Sequence, residues 1–106
     1  MSESIFTKII KREIPANIEY EDEICVAFKD IHPKAPIHLL IVPRKEITSI
    51  ADLKEEDSKI ITHLIYTAKK IAEEKKLDGY RLQFNVGHLG GQEVFHLHLH
   101  LLGWQK

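Results

Sequence analysis

Between Phe95 and Leu102 the chain alternates: His96, His98 and His100 interleave with Leu97, Leu99 and Leu101. Polar and apolar residues at a period of two mark a strand with one buried face. Side chains i, i+2 and i+4 of a strand point the same way. Three imidazoles therefore line one face, and Phe95 and the leucines line the other. The pattern demands a sheet, an apolar cover over the leucines, and a use for three adjacent rings.

The cover is also legible. Ile60, Ile61, Leu64, Ile65, Ala68, Ile71 and Ala72 recur at helical spacing and predict one long amphipathic helix over Glu55 to Lys76. Asp52, Glu55, Glu56 and Asp57 crowd its start and Lys69, Lys70, Lys75 and Lys76 its end, as the helix dipole favours. Gly79 is expected to close the turn that follows.

Ser4 is placed to cap a short helix over Ile5 to Arg12, with Ile5, Phe6, Ile9 and Ile10 on one side and Pro15 as its stop. Ile18–Glu21 and Ile24–Lys29 read as a hairpin around Glu21-Asp22-Glu23. Pro33 and Pro36 make 30–36 a loop. Ile37 to Val42 is a third strand, ended by Pro43. Tyr80 to Val86 alternates as a half-buried strand, and 87–92 is a glycine-rich loop. Strands and helices mix without βαβ order, so the expectation is an α+β fold with a mainly antiparallel sheet of five strands, spanning 1–106 as a single domain.

The 106 residues suit one core. With 43% hydrophobic and 29% charged residues, the composition is that of a globular protein rather than a disordered one. A formal net charge of −1 argues against binding long nucleic acid through a broad basic surface. No apolar run approaches the roughly 20 residues that span a bilayer. Met1-Ser2-Glu3-Ser4 lacks the basic start and apolar stretch of a leader peptide. The one cysteine, Cys25, is expected to be buried in its strand. These features lead to the expectation of a cytoplasmic protein with no membrane contact.

Three uses for the histidines compete. Alternate strand residues lie about 6.6 Å apart and the outer pair about 13 Å, so one tetrahedral metal would take at most two of them plus a partner such as His38. Phosphate chemistry suits them better. Neutral imidazole is a good nucleophile near pH 7, and neighbouring rings and the Gly90-Gly91-Gln92 turn can hold an anion. A solvated face with accidental histidines is the third reading. His32, His63 and His88 read as surface or loop residues.

The motif His96-Leu97-His98-Leu99-His100-Leu101-Leu102 resembles the histidine triad superfamily. Phe6–Ala16, Phe28–His38, Asn85-Val86-Gly87 and Gly90-Gly91-Gln92 resemble its Hint branch, in a bacterial-type form, over nearly the whole chain. The resemblance implies a homodimer of a small α+β fold that binds purine nucleoside monophosphates and hydrolyses nucleoside 5′-phosphoramidates without a cofactor or metal. It implies His98 as a nucleophile forming a nucleotidyl-histidine, His100 at the phosphate, and His96 and His38 in support. Asp30 would bind the ribose, and Ile5, Phe6, Ile9, Phe28 and Ile31 the base. Asn85, Gly91 and the backbone near Gln92 and Glu93 would line the phosphate end.

Glu93 stands where many relatives have serine, Glu46 where they have histidine, and the tail after Trp104 is short. Glu93 and that tail bear on the leaving group. Other readings are a nucleotide-binding regulatory protein with incidental turnover, a dinucleoside polyphosphate hydrolase of the Fhit branch, and a zinc-binding module.

Overall fold

A computed structural model describes residues 3–106; Met1 and Ser2, the start of the segment read as lacking a leader, lie outside the described residues. The order is α1 (Ile5–Ile10), β1 (Ile18–Glu21), β2 (Cys25–Lys29), β3 (Ile37–Pro43), α2 (Ser58–Glu74), β4 (Gly79–Gln83) and β5 (Leu99–Trp104). The five strands form one antiparallel sheet in the order β1-β2-β3-β5-β4. Among the described residues no helix is long and apolar enough to cross a membrane.

The two faces of the sheet are sorted by the period of two. Cys25, Ala27, Leu39, Ile41, Leu97, Leu99 and Leu101 pack against Leu64, Ala68, Ile71 and Ala72 of α2. Phe28, Leu40 and Val42 point the other way, onto Phe6 and Ile9 of α1. Strands β2 and β3 are therefore buried on both faces. Cys25 is wholly buried, as expected.

Several local expectations are corrected. Strand β5 begins at Leu99, not Phe95. The β3–β5 ladder pairs Ile41 with Leu99, and two residues further along β3 stands Pro43. Proline has no N–H to continue the ladder, and the Leu97 N–H turns instead to the Ile47 carbonyl at 2.7 Å. The bend displaces Phe95 from the leucine face and leaves it half exposed.

Helix α2 starts at Ser58, because Glu55–Asp57 form a tighter 3-10 turn. There the buried Asp57 carboxylate accepts from the Lys54 N–H and the Lys45 ammonium. Gly79 does not close the helix. Lys76 takes the left-handed conformation (φ 55°) and the Leu77 N–H bonds the Ala72 carbonyl at 3.0 Å, the Schellman pattern. Leu77 then packs directly over Gly103, where any Cβ would collide with it. Strand β4 is not half-buried. It is an exposed edge, ending at Gln83, with Tyr80 and Leu82 uncovered. His63 is not simply solvated: its Nε2 lies 2.7 Å from Asp22 Oδ2.

Candidate active site

Helix α1 crosses the histidine face of the sheet, and a cleft of about 340 Å³ opens between them. The helix is held there from its first turn. Ser4 caps it, accepting the Thr7 N–H on Oγ at 3.0 Å. Phe6 and Ile9 turn inward while Ile5 stays half exposed at the cleft. Phe6 meets Phe28 edge-on at 5.4 Å between centroids and meets the His98 ring edge-on at 5.0 Å. One apolar wall thus runs from Ile9 through Phe28 to the histidines.

The hydrogen bonds fix the protonation of each ring. The His96 carbonyl can only accept, so His98 Nδ1, 2.7 Å away, carries the hydrogen. When neutral, His98 therefore keeps its Nε2 lone pair free. The Lys34 backbone N–H can only donate, so His38 Nδ1, at 3.0 Å, is an acceptor and its Nε2 bears the hydrogen. That hydrogen reaches His100 Nδ1 at 2.9 Å, with Asp30 Oδ2 at 3.4 Å as a second acceptor. The His100 hydrogen is consequently on Nε2, a buried atom with no partner among the described residues. A lone pair on His98 and a donor on His100 stand side by side, their ring centroids 4.9 Å apart.

Burial is the main reason all four rings titrate low. It pushes His98 and His96 down against the hydrogen bonds to the His96 and Pro43 carbonyls, which work the other way. It pushes His38 down against the pull of Asp30. His100 falls to about 4, from burial first and then from His98 and His38 beside it. At neutral pH the rings are uncharged, as a nitrogen nucleophile requires.

His96 has a different place from the other two. Its ring is wholly buried and does not line the cleft. Nε2 donates to the Pro43 carbonyl at 2.9 Å, so Nδ1 accepts from Ser4 Oγ at 2.6 Å. Glu46 completes this cluster, accepting the Ser4 N–H and the Thr7 hydroxyl, each at 2.8 Å. Sequence reasoning missed Ser4, Thr7 and Glu46 as a group; 39 or more residues separate Glu46 from the other two, and only the tertiary fold brings them together.

Of the expected site residues, Ile5, Phe6, Ile9, Phe28, Asp30, Ile31, Asn85, Gly91, Glu93, His98 and His100 all line the cleft. His38 sits behind His100. Gln92 does not line the cleft: its buried side chain accepts the Gly87 N–H and donates to the Thr48 and Val94 carbonyls. It braces the loop whose Gly91, at φ 90°, adopts a backbone that glycine alone takes readily. Asp30 accepts the His32 N–H at 2.8 Å, capping its turn through Oδ1 and leaving Oδ2 toward the histidines. Trp104 lies outside the cleft, with the Arg81 guanidinium over its ring. The wall also includes Ile14, Pro15 and Ala16, from the Phe6–Ala16 block but with no role assigned, and Leu40 and Val94, which no motif marked.

A family model described as "Scavenger mRNA decapping enzyme C-term binding" matches residues 3–106. A purine nucleoside phosphoramidase of Escherichia coli K12 is 48% identical over 103 residues, covering 95% of this chain and 87% of that protein. A histidine triad (HIT) family hydrolase from Legionella pneumophila superposes with a TM-score of 0.94 at 48% identity, over 98% of this chain and 95% of that one. A histidine triad protein from Clostridium difficile gives 0.93 at 43% identity, over 100% and 96%.

Proposed function

The chain belongs to the histidine triad family, and on that footing we propose that it is a purine nucleoside phosphoramidase. Its substrates would be adenosine or guanosine 5′-phosphoramidates. The similarity to the Escherichia coli phosphoramidase supports the substrate class. The observation that carries the chemistry is the pairing of a free His98 Nε2 lone pair with the His100 Nε2–H at the cleft floor.

In this reading the base enters the apolar slot of Phe6, Ile9 and Phe28, and Asp30 accepts from the ribose hydroxyls. His98 Nε2 attacks the α-phosphorus in line. A P–Nε2 bond forms, the P–N bond to the leaving group breaks, and the amine departs with a proton taken from solvent, which the later hydrolysis returns. His98 becomes positive as it attacks, and its Nδ1–H tightens on the His96 carbonyl. The His100 Nε2–H and the 90–93 backbone hold the phosphoryl oxygens. Water then cleaves the P–Nε2 bond, releasing the nucleoside monophosphate and a free ring.

The reading includes a homodimer, in which a second copy covers the exposed edge of β4 with Tyr80 and Leu82. It places the protein in a reducing cytoplasm, consistent with the single unpaired Cys25. The test is a panel of adenosine and guanosine phosphoramidates read as AMP or GMP release. Wild type should turn over, and His98→Ala should bind AMP yet release none. Undiminished release by His98→Ala would overturn the assignment.

A further inference from the structure

Two clusters of potential metal ligands occur among the described residues: Asp30, His38 and His100 in the cleft, and Asp22, Cys25 and His63 behind the β1–β2 turn. In each, one ligand atom per residue lies within 4.8 Å of the others. The tautomers separate them. In the cleft, His38 Nδ1 already accepts from the Lys34 N–H. A neutral imidazole has one in-plane lone pair, so His38 Nε2 has none to give a metal.

The second cluster has no such conflict. His63 Nε2 donates to the Asp22 carboxylate at 2.7 Å, but its Nδ1 has no protein partner among the described residues, so the ring proton can move to Nδ1 and free Nε2 for a metal. Asp22 Oδ1 takes the Ile24 and Cys25 N–H groups, each at 2.8 Å. Thr67 Oγ1, 3.7 Å from Cys25 Sγ, can donate to a thiolate, and the Tyr20 hydroxyl donates to Asp22 Oδ2 at 2.8 Å. Metal ligands are ordinarily held by outer partners of this kind. Arg44 donates to the Asp22 carbonyl at 2.7 Å and is paired with Glu21, and Lys59 stands with His63 at the surface depression.

We propose that Asp22, Cys25 and His63 form a zinc site that clips the β1–β2 turn to helix α2. One thiolate, one carboxylate and one imidazole give a sulfur, oxygen and nitrogen set that balances a divalent charge and suits zinc, leaving a fourth position for water. Donors around tetrahedral zinc sit about 3–4 Å apart, so little contraction is needed. The ion displaces the Cys25 thiol proton, which leaves to solvent. The route is the open depression that His63 lines with Ser58, Thr62 and Tyr66. The site lies on the α2 side of the sheet, opposite the cleft, and is independent of the phosphoramidase reading.

The test is titration of chelator-treated protein with Co²⁺ as a spectroscopic stand-in, then with Zn²⁺. Wild type should take up one ion per chain, show thiolate-to-cobalt absorption and four-coordinate visible bands, release one proton per ion, and gain melting temperature with Zn²⁺. Cys25→Ser should lose the thiolate band. His63→Ala, a change at a half-exposed position that keeps the core, should bind at least tenfold more weakly and lose the Zn²⁺-dependent stabilisation. His100→Gln should bind as wild type. Uptake unchanged in His63→Ala, uptake lost in His100→Gln, or no cobalt–thiolate absorption in wild type would each overturn the site.

Discussion

Acid should weaken this fold through His100 in a way that can be isolated. Its ring titrates at about 4 in the folded chain, against about 6.5 when unfolded. Between those values the unfolded chain holds a proton that the native one does not. Stability is therefore full above pH 6.5, falls as pH drops toward 4, and loses nothing further from this group below 4. At 1.36 kcal/mol per unit, the loss is about 3 kcal/mol, a large share of a typical total of about 5–15 kcal/mol. The assay is urea unfolding of wild type and His100→Gln at half-unit steps from pH 7 to 4.5. Carboxylates held low in the native state, such as Glu46 and Asp57, also lose stabilising interactions as pH falls, but they do so in both proteins. The wild-type midpoint should fall more steeply than that of His100→Gln. Parallel curves, or a flat wild-type curve, would refute the buried neutral ring.

Other consequences concern positioning. Ser4→Ala removes both the α1 cap and the donor to buried His96; the cost should be about 2 kcal/mol by urea unfolding. Glu46→Ala loosens the same cluster without touching the cleft, so it should lower kcat while leaving AMP affinity, measured by calorimetry, within a fewfold of wild type. Gln92→Leu leaves three loop backbone groups unpaired and should cost about 3 kcal/mol or more in the same unfolding assay.

The alternation around the triad and the stripe on α2 made the two-faced sheet legible, because periods of two and 3.6 are properties of local sequence. Three features escaped. The late start of β5 depends on Pro43, a residue of the neighbouring strand whose missing N–H matters only once the register is known. The exposure of β4 could not be read from Tyr80 and Leu82, whose alternation promises a cover that one chain does not supply. Lys76, not Gly79, took the left-handed position because the tight packing of Leu77 over Gly103 fixes where the helix must end. In the site, residue types announced the cleft, but the division of labour among the rings came from their partners. A carbonyl beside His98 and an N–H beside His38 decide which nitrogen attacks and which donates.

The most direct test of that division is to stop the reaction. Protein mixed with an adenosine 5′-phosphoramidate, quenched in alkaline denaturant within the first turnover and kept alkaline through digestion, should carry one adenylyl group on the peptide containing His98 by mass spectrometry. The adduct should be absent from His98→Ala and should decay in step with AMP release. Turnover with no adduct at any time, or an adduct on His96 or His100, would contradict the account.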